Sequence, residues 1–448
     1  MRAKEEAFRI LEAALSVASS GVDEAEVCLG GGDLAVTTFA NNLVQPSQEH
    51  SFEILTVRVG SKGRMVRLST TDLSSQGLRE VATQARNRAE HLPERARGVG
   101  LPEPQSYVQT DAYDPEAELF RALERTAVAG RAIIAAHQQG LTACGQIAVR
   151  RGSLGLDGSP GIYAIANTRG LLAYHPETRV GLRLALRNKS GASSWVEDES
   201  FAVSALEPEQ MTKTALRRAL IAGEPRRLEA GRHSAVLEAA AVGALLGPVS
   251  LGAGATAYTA GRSFLSGRLG QSITGRNINL HDDHSHPLHR GRPFDFEGVA
   301  KKRVTLIEGG LARGPVHSLE SAVRTGSHAT GHRIWDPEVG ETESATHLVM
   351  DGGSATLSDL VGSTGCGLLI GRIGAVELID PRQLLMTGTT QEGCFVIDGG
   401  ELVAPLAPTR FAFSLLDLLG RVEALSNVSW ANGAVVPSLK VELPLFAA

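Results

Sequence analysis

The sequence contains few cysteines and aromatic residues and no long apolar run. Aromatic residues make up 4% of its 448 residues, and its four cysteines are dispersed along the chain without a CxxC pair. They are Cys28, Cys144, Cys366 and Cys394. This dispersal differs from the framework of a disulfide-rich protein, so we expect no structural disulfide. No segment approaches the roughly 18 to 20 consecutive apolar residues that cross a bilayer, and the amino-terminal segment lacks the continuous apolar core of a secretory signal. We therefore predict a cytoplasmic protein that spans no membrane.

An excess of positive charge is also absent. The chain has 44 lysines and arginines against 49 aspartates and glutamates, which gives a formal net charge of -5. Proteins that bind nucleic acid or anionic lipid without specificity depend on a positive field. The sequence therefore predicts neither a nucleic-acid partner nor a membrane partner.

The hydrophobic and glycine contents indicate a large folded protein rich in turns. Hydrophobic residues make up 42% of the chain, which contains 50 glycines, and 448 residues are too many for one ordinary domain. The polar, glycine-punctuated segment GEPRRLEAGR is typical of a boundary between domains. We predict an α+β fold of two domains, an amino-terminal domain over residues 1–225 and a carboxy-terminal domain over residues 226–448.

Hydrophobic periodicity predicts mixed elements in the first domain and mostly strands in the second. Phe8, Leu11 and Leu15 recur at helical spacing, and Gly21 ends this first helix. Further helices are predicted over 77–92, 115–137 and 208–223. The predicted strands are 24–30, 33–45, 51–60 and 63–71, with a hairpin turn at 60–63, and more strands between 144 and 196. The first domain is therefore a mixed α/β unit with antiparallel strands, and the second is β-rich.

A histidine-rich string is the most conspicuous candidate for chemistry. Four of the thirteen histidines and two aspartates lie within the nine residues from His281 to His289. Imidazole and carboxylate groups are ligands of zinc and iron. Ligands this close in sequence can converge on one ion only in a tight loop, and Pro287 with its polar neighbours is typical of an exposed loop between strands. A metal site and a polar surface loop both stay open at this point.

Other motifs lack the context that their chemistry requires. Residues 252–257 (GAGATA) fit GxGxxA, but no βαβ pattern surrounds them, which argues against dinucleotide binding. Residues 317–320 (HSLE) begin the inverted zinc pattern HxxEH, but Ser321 stands where the second histidine is needed. Cys366 and Cys394 could act as nucleophiles beside a histidine, although cysteine next to glycine in a β-rich region favours a small buried residue.

Long blocks in both halves of the chain resemble one protein family. The amino-terminal blocks are GVDEAEVCLGGGDLAVTTFANN and EILTVRVGSKGRMVRLSTTDLS. The carboxy-terminal blocks are RPFDFEGVAKKRVTLIEGGLARGPVHSLESAVRTGSHATGH, MDGGSATLSDLVGSTGCGLLIGRIG and GTTQEGCFVIDGGELVAP. In this order they resemble the TldD/PmbA family over nearly the whole chain.

The resemblance also shows where this chain departs from the family's zinc subunit. The TldD-type subunit resembles a zinc peptidase with a helical HExxxH motif, two histidines binding the metal and the glutamate acting as general base, and with a cysteine ligand near its end. Aligning Leu245 and Leu246 places Gly247, Pro248 and Gly252 at the three motif positions. Proline is also expected to disturb the helix, and the last residues, LSNVSWANGAVVPSLKVELPLFAA, contain no cysteine. The resemblance thus implies the TldE/PmbA-like branch, and we assign no catalytic, cofactor-binding or metal-binding residue to this chain.

The resemblance implies a function within an assembly. It implies a non-catalytic TldE/PmbA-like subunit of a TldD/TldE-type zinc metallopeptidase heterodimer, which acts in proteolysis or peptide maturation. The expected partners are a TldD-like catalytic subunit that holds the zinc, or a second copy of the chain, and a peptide substrate. Two alternatives stay open: an independent metal-dependent amide hydrolase that uses His281–His289, and a non-enzymatic, self-associating binding protein. The family has also been described as modulators of DNA gyrase, but the absence of a basic stripe argues against direct DNA contact.

Overall fold

The computed structural model describes residues 2–91, 99–154, 160–189, 191–221, 223–336 and 340–446. Ten α-helices occur in this part of the chain. They are α1 (Lys4–Ala18), α2 (Ser75–His91), α3 (Pro115–Leu119), α4 (Ala122–Gln138), α5 (Pro208–Ala219), α6 (Ala239–Gly252), α7 (Ala255–Thr259), α8 (Leu319–Thr325), α9 (Leu357–Gly362) and α10 (Leu415–Leu419). None of the described helices is long and apolar enough to cross a membrane.

Twenty-four strands are described, and most of them belong to two large sheets. The strands of the first large sheet are β1 (Glu24–Ala40), β2 (Leu43–Val44), β3 (Gln48–Ser61), β4 (Arg64–Thr70), β5 (Thr142–Ser153), β6 (Ile162–Asn167), β7 (Leu172–Tyr174), β8 (Thr178–Arg187) and β9 (Ser193–Ser200). The later strands are β10 (Gly231–Leu237), β11 (Leu280–Asp282), β12 (Val304–Glu308), β13 (Leu311–Ala312), β14 (Arg333–Asp336), β15 (Gly340–Glu343), β16 (Leu348–Met350), β17 (Cys366–Ile370), β18 (Ile373–Asp380), β19 (Leu385–Thr390), β20 (Cys394–Asp398), β21 (Glu401–Pro405), β22 (Arg410–Ser414), β23 (Val422–Ala431) and β24 (Ala434–Leu445). The α+β class is confirmed.

The first sheet is antiparallel and carries helices on one face. Its main path runs β4-β3-β1-β5-β8-β9. One apolar cluster joins α1 and α2 to β1 and β3, and a second joins α4 and α5 to β5 and β8. Because side chains alternate across a strand, the intervening residues of these strands face the other way, toward the carboxy-terminal half. Cys28 and Ile165, for example, pack against Phe294.

The predicted strands of this sheet are present, but the interruption predicted between residues 30 and 33 was wrong. The two strands expected at 24–30 and 33–45 are largely one strand, β1, with β2 as a separate short piece. Gly31 has φ +99°, and a Cβ there would overlap the carbonyl oxygen of Phe52. The glycines therefore allow a bulge and a close approach of neighbouring strands, and the strand continues through them. The predicted hairpin turn is confirmed, with Lys62 and Gly63 at positive φ between β3 and β4.

The helix predicted over 115–137 is divided into α3 and α4. The chain leaves helical geometry at Phe120, which has ψ 72°, and resumes it at Ala122. The buried guanidinium of Arg125 donates from Nη1 to the carbonyl oxygen of Phe120 at 2.9 Å. This bond satisfies a carbonyl that the interrupted helix leaves without an intrahelical partner.

The second large sheet is mixed and holds the largest apolar core. Its path runs β13-β12-β11-β16-β24-β10-β17-β20-β21, and β23 pairs with β24. The helix α6 packs on this sheet and contributes Val242, Leu245, Leu246 and Val249 to the core. The prediction of a β-rich second half is confirmed. The domain limits of 1–225 and 226–448 stay a prediction, because strand pairing alone does not define independently folding units.

Candidate functional site

A cavity of about 210 Å³ lies between the first sheet and the β23–β24 hairpin. Its floor is formed by small and aliphatic side chains on the sheet face opposite the helices. Leu34, Val36, Ala148 and Gly181 belong to this floor. The register pairs Leu34 with Arg150, and Val36 with Ala148, so these residues share one face of the sheet. An apolar floor on a face otherwise rich in charged residues makes this cavity the candidate binding site.

Ion pairs form two walls of the cavity. The guanidinium of Arg150 contacts the carboxylate of Glu199, and the Nε atom of Arg183 lies 3.5 Å from Oε2 of Glu197. Arg179 adds a second contact to Glu199 at 3.5 Å. Both walls thus present charges that already have a partner of opposite sign.

Trp430 covers the cavity from the hairpin side. The guanidinium of Arg179 lies 4.8 Å from the centroid of the Trp430 ring and 4.1 Å from that of Phe201. This cation–π arrangement fixes the indole over the sheet. The buried Nε1 of Trp430 has no hydrogen-bond partner among the described residues. The indole therefore retains one donor for a further acceptor.

Two strand edges lie beside this cavity. Within the described residues, β9 ends the first sheet and pairs with β8 alone, and β23 pairs with β24. These two strands and the start of α6 line a second, more open cavity of about 380 Å³. Val196 lies on one side of it and Val428 on the other. The backbone nitrogen of Glu199 donates to Oδ1 of Asp198 at 2.9 Å, rather than to a neighbouring strand. Unpaired edges of this kind can accept an extended peptide as an additional strand.

The three positions that the resemblance aligns with the zinc motif, Gly247, Pro248 and Gly252, lie on α6. Gly247 is exposed and Gly252 is buried, with its ideal Cβ position 3.5 Å from the ring of Phe264. Glycine and Pro248 have no side-chain donor atom, and within the described part of the chain no three His, Cys, Asp or Glu side chains are grouped so as to hold a metal ion. The residues of this helix do not fit a zinc ion. The expectation that Pro248 disturbs the helix was wrong, because α6 continues through it to Gly252.

Ser285, Pro287 and Leu288 of the histidine-rich string are exposed, as expected for a loop around Pro287. The rest of the string is buried or half-buried, and there the expectation of an exposed loop was wrong. It begins on β11, an interior strand of the second sheet, so His281 and Asp282 are buried. His289 is 1% exposed and donates from Nε2 to the carbonyl oxygen of Leu348 at 2.9 Å. The side chains are directed to separate partners instead of to one point.

Asp282 is the electrostatic centre of this buried segment. Its Oδ1 atom accepts from Nε2 of His332 at 2.8 Å, and its Oδ2 atom accepts from the backbone nitrogen of His347 at 2.7 Å. Burial by itself would raise the pKa of Asp282, but His332 and Lys301 outweigh it and hold that pKa well below the usual range. Burial lowers the pKa of His289 to about 4. Both carboxylate oxygens of Asp282 thus have a hydrogen-bond partner within the protein, as buried polar groups require.

The remaining motifs resolve as structural features. Residues 252–257 join α6 to α7, so GAGATA follows a helix and not a strand. Ser318 caps α8 with a capping box to Ser321. Cys394 is buried, as expected, and burial raises its pKa to about 11. Cys366 is exposed at the start of β17, so the expectation of a buried residue was wrong there.

The comparisons with known proteins agree with this architecture. Residues 230–444 match the family described as the PmbA/TldA metallopeptidase C-terminal domain. The carboxy-terminal half of the chain therefore matches a domain of the TldD/PmbA family. A metalloprotease from Archaeoglobus fulgidus is 27% identical over 174 residues, which cover 39% of this chain and 40% of that protein.

Two solved structures match this chain over almost its whole length. TldE from Thermococcus kodakarensis has a TM-score of 0.85 at 18% identity and covers 98% of this chain and 100% of its own. A proposed modulator of a DNA gyrase from Thermotoga maritima has a TM-score of 0.81 at 18% identity, with 98% and 99% covered. Identities this low show a shared fold.

Sequence reasoning did not find the residues around the cavity. They come from β1, β5, β8, β9 and the β23–β24 hairpin, which are up to about 400 positions apart. The one local signal was the pair Leu34 and Val36, which alternates with the core residue Ala35. A strand with apolar residues on both faces indicates that both faces are covered.

Proposed function

We propose that this chain is the non-catalytic, TldE-like subunit of a TldD/TldE-type zinc metallopeptidase and helps to hold peptides for a catalytic partner. The observation that carries the proposal is the surface of α6. Where the zinc motif would stand, the helix contains Gly247, Pro248 and Gly252, which provide neither a metal ligand nor a general base. The third ligand of the motif, a cysteine near the carboxy terminus, is also missing from the sequence.

The two strand edges support a role in holding peptides. The outer edge of β9, with which no described strand pairs, and the edge of β23 over Val428–Ala431 line one groove. Main-chain hydrogen bonds along such an edge bind extended peptides with little dependence on their sequence. A partner that contains the intact zinc motif would then hydrolyse the peptide, and the cytoplasm is the expected location for this complex.

Native mass spectrometry with metal analysis tests the proposal. The full chain is purified alone and again after co-expression with the TldD-like protein of the same organism. We expect a metal-free chain that joins the partner in equal ratio, with zinc present in the complex. Peptide cleavage should require the complex and should stop when a chelator is added.

Three results would contradict the proposal. One is chelator-sensitive cleavage by the chain alone. In that case, replacing His284 and His286 by alanine would test the histidine string as the active site of an independent hydrolase. Another is a stable homodimer that ignores the TldD-like protein and cleaves nothing, which would favour a self-associating binding protein. The third is a complex that forms but binds no extended peptide.

A further inference from the structure

The outward face of α4 carries an apolar stripe. Leu123, Ala127, Gly130 and Ile134 recur at intervals of three or four residues, so they lie along one side of the helix. Leu123 is 77% exposed and Ile134 59%. At 3.6 residues per turn, this side lies opposite the side of α4 that packs on the first sheet. A surface helix normally has polar residues there, so the stripe is typical of a face that another helix covers.

We propose that a second copy of this chain covers the stripe, and that the two α4 helices pair antiparallel about a twofold axis midway between Ala127 and Gly130. In this pairing, Leu123 of each copy lies against Ile134 of the other, and Ala127 lies against Gly130. The large side chains meet at the two ends of the contact and the small residues meet at its centre. Nothing lies within 4 Å of a Cβ built on Gly130, so the centre has room for a close approach of the two helices.

The charges beside the stripe favour a second copy in this antiparallel orientation. Glu124 and Arg131 lie on the same side of the stripe, and both are exposed. The twofold axis brings Glu124 of one copy beside Arg131 of the other, about 3 Å apart along the helix axes, and does so twice. Arg131 bonds through Nε to Glu209 at 2.9 Å, which leaves its terminal nitrogens for a further carboxylate. A parallel pairing would instead place these charges beside Thr126 and Ile133, which carry none.

The stripe lies away from the candidate cavity. The helix α4 packs on the helix-bearing face of the first sheet, whereas the cavity lies on the opposite face. Pairing through α4 therefore leaves the cavity open and is compatible with a TldD-like protein bound elsewhere on each copy. The contact extends over about three helical turns, or roughly 16 Å, which is less than a permanent dimer buries. The pair should therefore dissociate on dilution.

Sedimentation equilibrium of the full chain at about 1–200 μM tests the pairing. We expect the average mass to rise with concentration from one copy to two. The variant Ile134→Glu places a charge against Leu123 of the other copy at both ends of the contact, so it should weaken the pair by about tenfold or more. Val323→Glu is the matched control, because Val323 is a 68% exposed apolar residue of another helix, α8. It should associate as the wild type does.

Exchange of the two charges tests the orientation. Glu124→Arg alone should weaken the pair about three- to thirtyfold, because the new arginine faces Arg131 of the other copy twice. Adding Arg131→Glu recreates both ion pairs with their signs reversed, so the double variant should associate within about threefold of the wild type. Circular dichroism checks that every variant is folded, as expected for substitutions at exposed positions.

Three results would overturn the inference. One is a single copy at every concentration, both for the chain alone and for its complex with the TldD-like protein. Another is self-association that Ile134→Glu does not weaken or that the charge exchange does not restore. The third is a loss of binding to the TldD-like protein in Ile134→Glu, which would assign the stripe to that partner. Metal content and peptide cleavage test the proposed function separately, so either proposal can fail while the other holds.

Discussion

The side-chain amide of Asn432 donates a hydrogen bond of 2.8 Å to the carbonyl oxygen of Ala240. This bond joins the tip of the β23–β24 hairpin to the first turn of α6. Ala431, the neighbour of Asn432, also lies close to α6, because its carbonyl oxygen occupies the space next to Gly243. The roof of the cavity and the start of the helix are therefore held together.

Replacing Gly243 by alanine should destabilise the protein. A Cβ at this position would overlap the backbone oxygen of Ala431, and a backbone atom cannot move aside without shifting the hairpin. We expect a loss of about 1–3 kcal/mol in the free energy of unfolding, as for other overpacked sites. Gly247→Ala is the control in the same helix, since nothing lies within 4 Å of its Cβ position. It should stabilise the protein by about 0.5–1 kcal/mol. Urea denaturation measures both, and equal effects would refute the close contact.

Two variants distinguish the contribution of the Asn432 side-chain hydrogen bond to stability from that of the turn in which Asn432 lies. Asn432 has φ 49°, a left-handed conformation that glycine and asparagine tolerate. Asn432→Gly should retain the turn and lose the bond to Ala240, at a cost of about 1 kcal/mol. Asn432→Ala should cost more, because it also strains the backbone. Thermal unfolding measures both variants. A smaller loss of stability for Asn432→Ala than for Asn432→Gly would contradict the prediction.

Arg125 should be among the most sensitive residues of the amino-terminal half. Its side chain is fully buried and donates to Thr37, to the carbonyl oxygen of Phe120 and to Glu49. Arg125→Leu leaves the buried carbonyl without its donor, and we expect a loss of about 2–4 kcal/mol. Arg131→Leu is the control on the same helix, because its ion pair with Glu209 is exposed on both sides and such pairs contribute about 0–1 kcal/mol. Comparable midpoints of urea unfolding for the two variants would contradict the prediction.

Glu26 should make the stability of the protein fall as the pH rises. Its side chain is 1% exposed, its carboxylate oxygens have no hydrogen-bond partner among the described residues, and Arg58 Nη1 lies 3.6 Å away. Burial raises the pKa of Glu26 from an ordinary value of 4.5 to about 7. Between these values the folded protein keeps a proton that the unfolded chain has released. Rising pH then favours unfolding, by about 1.4 kcal/mol per pH unit for one group.

The variant Glu26→Gln isolates this effect. Removing the titrating group should flatten the pH profile, so the variant gains stability relative to the wild type as the pH rises from 5 to 7. Above pH 7 the difference should become constant. Glu12→Gln, on the exposed face of α1, is the control and should run parallel to the wild type. Urea midpoints at pH 5, 6, 7 and 8 measure the profiles, and parallel curves for Glu26→Gln would contradict the raised pKa.

Local patterns predicted the elements whose causes are local. The helical period of 77–92 and the turn residues Lys62 and Gly63 each act within a few positions, and both elements formed where expected. The errors occurred where distant contacts outweighed the local preference. Proline breaks an isolated helix, but packing on the second sheet keeps α6 helical through Pro248. A polar, proline-containing string suggests an exposed loop, but pairing of β11 with β12 and β16 buries its start.

The sequence by itself determined the class of fold, the family resemblance and the expectation that the zinc motif is missing. These follow from periodicity and from the identity of residues at given positions, which need no knowledge of spatial neighbours. Only the tertiary structure decided that Leu34 and Trp430 share one cavity and that β9 is the last described strand of its sheet. The physical reason is that both features depend on contacts between segments far apart in the chain. Such contacts are set by the packing of whole sheets and helices, and no local pattern specifies them.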